Sequence, residues 1–205
     1  MKIDLTTIKK VCISLQSSQQ RRENFINVMN KLGYINWTFF DGITNSNPVI
    51  GCALSQIAVL RSNLDDEPLL IFEDDIKDSQ WHTQILEIPD KIKADAIYIG
   101  YSSWPCDVNR AHMSNLDNCC SFERIENFYK IKNMTSAHAI IYLTKEYKES
   151  CANEAEKYLS DLNGIKHCDV VYAKLQHKYN VFATPKHYFY QNCPHNKFWT
   201  EYSIF

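Results

Sequence analysis

The chain has 205 residues, 45% of them hydrophobic and 13% aromatic, with a formal net charge of −2 at neutral pH. That length suits one domain with a sizeable core, residues 1–205 as a single unit. The near-zero charge and scattered Lys and Arg exclude a general surface for polyanions, nucleic acid included, and no window approaches the roughly 18 apolar residues of a membrane span.

Residues 1–10 lack the apolar stretch of a secretory signal, and the first strand is expected almost at once. A chain of this size needs no disulfide framework for its eight cysteines. Cys12, Cys52 and Cys168 lie in or beside apolar segments, where cysteine serves as a small hydrophobe. No CxxC pair is present, so a structural zinc site is not expected. Adjacent Cys119 and Cys120 read as exposed loop thiols, with redox activity the other option. Free thiols imply a reducing compartment, and a cytoplasmic location is the expectation.

Strands and helices alternate. Residues 10–15 are a strand, 16–20 a polar loop, and 21–32 a helix with Phe25, Ile26, Met29 and Leu32 on one face. Gly33 follows where a left-handed C-cap is needed. Residues 35–40 are a second strand stopped by Asp41-Gly42. Residues 45–48 are a turn, 51–63 a helix, and 69–72 a third strand. Residues 96–100 form a fourth. Residues 101–127 show no period and read as a loop region near a site. A strand over 137–143, helices over 145–159 and 169–176, and a short strand over 181–183 complete the chain. The β-α-β-α-β start predicts an α/β fold whose central sheet is mostly parallel and flanked by helices.

The apolar run Pro68-Leu69-Leu70-Ile71-Phe72 leads straight into Glu73-Asp74-Asp75. It reads as a strand buried on both faces, and ligands of open α/β sheets bind at the carboxyl ends of strands. Three crowded carboxylates repel one another unless a cation sits among them, and Mg²⁺ or Mn²⁺ favours oxygen ligands and phosphate partners. A solvated, helix-initiating acidic turn is the other reading of the tripeptide. With only five glycines and no GxGxxG or GxxxxGK[ST] after any strand, a glycine-rich phosphate cradle is absent. Phosphates would then be neutralised by a metal and side chains, the logic of a GT-A glycosyltransferase, where the cation also offsets charge on the leaving group.

Several segments resemble glycosyltransferase family 25, the lipooligosaccharide and collagen galactosyltransferases. They are Val11-Cys12-Ile13-Ser14-Leu15 with Arg21-Arg22, Phe39-Phe40-Asp41-Gly42, Gly51-Cys52-Ala53-Leu54-Ser55-Gln56, Leu70-Ile71-Phe72-Glu73-Asp74-Asp75, Thr135-Ser136-Ala137-His138-Ala139-Ile140-Ile141 and His167-Cys168-Asp169. They occur in the family's order over roughly residues 10–175, though Gln56 stands where the family usually has histidine. The resemblance implies a GT-A fold and an inverting transfer of a hexose such as galactose or glucose from a nucleotide-sugar, UDP-linked, to a glycan or protein hydroxyl. Nucleotidyl or phosphoryl transfer would use similar acids but needs a basic phosphate cradle that the sequence does not show, and a catalytically silent nucleotide- or sugar-binding module is the third reading.

Roles follow on that basis. Asp75 is expected to ligate Mn²⁺ or Mg²⁺ directly and Glu73 through water or the donor sugar, with Asp74 turned toward sugar hydroxyls. Leu15 closes the opening strand on the donor side. Arg22, in the first turn of its helix, is placed for phosphate or is a solvated helix charge. Asp41 is placed for the base or ribose, or forms an Asp-Gly turn. Ser55 and Gln56 line the nucleoside pocket or serve helix packing. His195 is a candidate third metal ligand. Asp169 matches the family's acceptor-side aspartate and is the candidate catalytic base, a helix N-cap being the other role open to it. The aromatic run Tyr188-Phe189-Tyr190 and the pair Phe198-Trp199 either close the core or stack on a sugar, and core closure is expected.

Overall fold

The computed structural model describes residues 1–101, 120–135, 137–160 and 167–191. In chain order these form β1 (Lys2–Asp4), β2 (Lys9–Ser14), α1 (Gln19–Leu32), β3 (Trp37–Asp41), α2 (Pro48–Arg61), β4 (Leu69–Glu73), β5 (Ile76–Asp78), β6 (Ile85–Glu87) and β7 (Ala96–Gly100). They continue with β8 (Ser121–Ile125), β9 (Phe128–Lys132), β10 (Ala139–Tyr142), α3 (Lys145–Leu159), α4 (Cys168–Leu175), β11 (Val181–Ala183) and β12 (Phe189–Gln191).

The fold is mixed α/β around one large sheet whose main path runs β3-β2-β4-β10-β7-β11-β9-β8, with β5 and β12 appended beside β7. The expected β-α-β-α-β start is present: β2 pairs in parallel with β3 on one side and β4 on the other. The expectation of a mostly parallel sheet is corrected beyond that point. β10 runs antiparallel to both β4 and β7, β9 antiparallel to β11 and β8, and only β11 and β12 lie parallel to β7. A strand apolar on both faces, such as Ala139–Tyr142, announces burial but not direction. Residues 101–127 are not all loop either. Residues 121–125 are β8, joined to β9 by the two-residue turn Glu126-Asn127, with Glu126 at φ 56°. That turn lacks the glycine that normally marks a tight hairpin in a sequence.

The two faces of the sheet carry separate cores. On one, Phe25, Met29 and Leu32 of α1 pack on Cys12, Leu70, Phe72, Ile97 and Ile141. On the other, α2, α3 and α4 cover Leu69, Ile71, Tyr98, Ile140 and Tyr142. Gly33 takes φ 67° and closes α1 as expected. α2 starts three residues earlier than expected, because Asn47 caps it, accepting from Val49 N at 3.0 Å, and Pro48 occupies the first helical position.

Two buried lysines brace this frame. Lys10 is wholly buried in β2 and donates to the carbonyls of Thr6, Ile8 and Ile35 at 3.0, 2.8 and 2.6 Å. Lys148 of α3, equally buried, donates to the Asp65 and Glu67 carbonyls and to Asp65 Oδ1 at 2.9, 2.7 and 3.0 Å, fixing the loop that enters β4. Among the described residues no helix is long and apolar enough to cross a membrane.

Candidate functional site

The order β3-β2-β4 makes the chain reverse direction around β2, with α1 and α2 on opposite faces of the sheet. A crevice opens at the carboxyl ends of the strands at such a switch point. Here it is a cavity of about 390 Å³ between the ends of β2 and β4, the start of α2 and the loop after β3. Of the candidate donor and metal residues, Leu15, Ser55, Gln56, Glu73, Asp74 and Asp75 line it. Arg22, Asp41 and Asp169 do not, and His195 lies outside the described residues.

The loop wall is held close to α2. A Cβ on Gly51 would sit 2.5 Å from the Ile43 carbonyl oxygen, so only glycine admits this approach. Ser55 Oγ accepts from Ile43 N at 2.8 Å and donates to Gly51 O at 2.7 Å, which ties the same loop to the helix. Leu15 and Ile43, each more than a third exposed, give the cavity an apolar lip. Gln56 is buried, and its Oε1 has no hydrogen-bond partner.

Arg22 is committed to the frame. It donates to Ser14 O at 2.8 Å, Ser14 Oγ at 3.3 Å and Asp41 Oδ1 at 2.5 Å, and lies 4.7 Å over the Phe39 ring. Asp41 is thereby the partner of Arg22. The neighbouring Arg21 lines the cavity and donates to Asp74 Oδ1 at 3.0 Å. Adjacent helix residues point in different directions, and sequence alone did not separate these two arginines.

The acidic triplet divides into two kinds of carboxylate. Asp74 is buried, bonded by Ser14 and Arg21. Glu73 and Asp75 have much weaker compensation. Burial, then the charges of Asp75 and Asp169, push the Glu73 carboxyl up from its ordinary range, against a hydrogen bond from Gln191. Burial also raises Asp75, opposed first by Arg21. Gln191 Nε2 donates to Glu73 Oε2 at 3.1 Å, a contact from the far end of the chain that no sequence pattern signals. Asp75 Oδ1 is buried without a hydrogen-bond partner.

That orphaned oxygen tests the fit of a cation. Among the described residues no group of three or more His, Cys, Asp or Glu side chains is arranged to hold a metal. Hard divalent ions at phosphate-transfer sites are commonly held by one or two carboxylates plus substrate phosphates, with no all-protein cage. Two raised carboxylates, one with an unsatisfied buried oxygen at a cavity wall, fit that arrangement.

Asp169 is the second residue of α4, and His167 is its N-cap. Its Oδ1 accepts from Val170 N at 2.8 Å, and burial raises its carboxyl. Its charge contributes to the upward shift of Glu73. Cys12, Cys52, Cys120, Cys151 and Cys168 are free thiols, and burial pushes Cys12, Cys151 and Cys168 up. Cys12 and Cys168 are core residues, whereas Cys52 is exposed and lines the cavity; Cys120, expected to be exposed, is instead buried in the core, and Cys119 lies outside the described residues.

No protein-family model matches the chain, and no curated protein matches it. Among solved structures, it is similar in outline to the nucleoside-diphosphate-sugar pyrophosphorylase from Vibrio cholerae RC9, at 12% identity over 93% of this chain and 79% of that one, with a TM-score of 0.49. It is also similar to the CTP:phosphocholine cytidylyltransferase from Streptococcus pneumoniae, at 10% identity over 90% of this chain and 92% of that one, with a TM-score of 0.43.

Proposed function

We propose that the chain is a metal-assisted glycosyltransferase that moves a hexose, such as galactose or glucose, from a UDP-sugar to a glycan or protein hydroxyl with inversion. The observation that carries this reading is Asp75, with its buried, unpartnered oxygen, beside a second raised carboxylate at the end of β4 on the wall of the 390 Å³ cavity.

Asp75 and Glu73 would hold Mn²⁺ or Mg²⁺, which when bound neutralises the donor diphosphate and the charge that develops on it as it leaves. Arg21 adds a positive charge at the same cavity wall, while Asp74 keeps that arginine and the end of β2 in place. The lip of Leu15 and Ile43 suits the flat face of a base, and the unpartnered Gln56 Oε1 suits a donor group on the nucleoside. Asp169 would take the acceptor proton, its raised carboxyl bringing its basicity nearer to neutral pH.

Calorimetry of the full chain with UDP-galactose and UDP-glucose, with and without Mn²⁺, tests the reading, followed by an assay for released UDP. Metal-dependent binding with UDP release supports it. Binding without release in the presence of a panel of acceptors favours a silent binding module. Pyrophosphate formation from a nucleoside triphosphate and a sugar phosphate would replace it with nucleotidyl transfer.

A further inference from the structure

A second cavity, of about 350 Å³, lies at the other end of the ladder that leaves the acidic triplet. It is lined by residues 78–81 together with Lys186, His187 and Tyr190. β5 begins directly after Asp75 and pairs antiparallel with β12, Ile76 opposite Gln191 and Asp78 opposite Phe189. The end at Ile76 carries the triplet and Gln191. Three strand residues, about 10 Å of chain, separate it from the end where the second cavity opens.

The walls of this cavity are tied down. Ser79 N donates to Tyr188 O at 2.8 Å, and Ser79 Oγ donates to His187 O at 2.7 Å while accepting from Trp81 N at 3.0 Å. The His187 ring stands edge-on between Tyr101 and Tyr190, with centroids 5.7 and 6.0 Å away. Trp81 is 48% exposed, and its backbone N–H is bonded to Ser79 Oγ. Lys186 Nζ lies 4.4 Å from the Trp81 ring centroid, and Lys77 Nζ lies 5.6 Å from that of Tyr190. Neither lysine has an ion-pair partner among the described residues, while the local acid, Asp78, is taken by Lys31 at 2.6 Å. The local balance is therefore cationic in a chain whose net charge is −2.

Aromatic faces at a polar cavity match the apolar face and hydroxyl rim of a pyranose, and an ammonium group beside each ring matches a negative charge on it. We propose that this cavity binds an anionic saccharide, one bearing a carboxylate or a phosphate, and that it holds the acceptor glycan next to the transfer site. The binding itself stands on this cavity, and its role as an acceptor subsite rests on the transferase reading above.

Titration of the full chain at low salt with glucuronate, N-acetylneuraminate and glucose 6-phosphate, followed by tryptophan fluorescence and saturation-transfer NMR, tests it. Galactose and lactose serve as neutral controls. Charged saccharides are expected to bind and to weaken as salt is added. Trp81→Ala and Lys186→Gln should each weaken binding at least about tenfold, with Trp81→Phe largely restoring it. Binding that survives both variants, equal binding of the neutral sugars, or no saccharide binding at all would overturn the proposal. Parallel titration with UDP-galactose keeps the two readings apart: lost donor binding strikes the transferase reading, while saccharide binding sensitive to Trp81 and Lys186 still establishes this cavity. A preference of the sugar phosphate over both sugar acids, or the reverse, identifies which anion is taken.

Discussion

Ser14 Oγ donates to Asp74 Oδ2 at 2.8 Å, joining the carboxyl ends of β2 and β4 across 60 positions of the chain. With Arg21 on its other oxygen at 3.0 Å, Asp74 is the member of the triplet whose charge is answered. On the proposed reading, the carboxylates left to hold a cation are Glu73 and Asp75.

Asp75→Asn should abolish Mn²⁺-dependent binding of UDP-sugars. It should also leave the melting temperature equal or higher, because it removes a buried charge with an unpartnered oxygen. Calorimetry and thermal unfolding on the same sample read both. Donor affinity that still responds fully to Mn²⁺ would rule out Asp75 as the ligand.

The same pair sets a pH dependence. A carboxyl raised in the folded state binds more protons folded than unfolded above its ordinary value, which for Glu73 is 4.5. Stability should accordingly fall as pH rises from that value through the raised pKa, and a cation that answers the charge should restore it. The rise in melting temperature produced by Mn²⁺ is expected to be larger near about pH 8 than near about pH 5, and Asp75→Asn should flatten that difference. A Mn²⁺ effect independent of pH would contradict the shared origin.

Arg21 and Arg22 should separate cleanly. Arg22→Ala strips partners from the Ser14 carbonyl and Asp41, and should cost about 1–2 kcal/mol of stability in urea unfolding. Arg21→Ala leaves buried Asp74 bonded by Ser14 alone, so it should cost about 1 kcal/mol and, unlike Arg22→Ala, weaken donor binding as well. Reversed outcomes would move the phosphate contact to Arg22.

Asp169→Asn keeps the size of the side chain and its acceptor for Val170 N. If Asp169 is the base, transfer should slow by about 10²-fold or more with donor binding preserved. Near-parental turnover would leave Asp169 as a support for the start of α4.

Lys10→Met should cost about 2–4 kcal/mol, since three buried carbonyls lose their donor at once. Lys10 is pulled down to about 8 by burial, so its charge is present in the fold below that pH. Between about 8 and its ordinary 10.5 the unfolded chain holds more protons, and this residue's contribution should make stability rise with pH there. Comparing the unfolding of parent and Lys10→Met over that interval isolates the effect.

The first half of the fold was legible because its signals are local. The run Leu69–Phe72 before three acids, the spacing of Phe25, Met29 and Leu32, and Gly33 after them each declare an element within a few residues. The end of β4 could be placed at a cavity on that ground, and six of the candidate side chains do line one. What stayed hidden depends on long-range partners. The direction of β10, the pairing of β5 with β12, the reach of Gln191 to Glu73 and the choice between Arg21 and Arg22 are decided by neighbours far along the chain. The start of α2 was a local error: Asn47-Pro48 reads as a turn, but it is also a cap followed by the first helical residue.

The placement of β10 between β4 and β7 has a consequence for biogenesis. β4 and β7 are both made before residue 101, yet each leaves a hydrogen-bonding edge open until residues 139–142 are synthesised and slide between them. For that interval the nascent chain displays Leu69–Phe72 and Ala96–Gly100, two buried-type strands with unpaired edges, as templates for any other extended segment. Closing the sheet is then a late, long-range event that ordinary local helix formation cannot hasten. Truncation just before Ala139 should yield a chain that aggregates, and the yield of soluble protein should depend on how promptly the C-terminal third arrives.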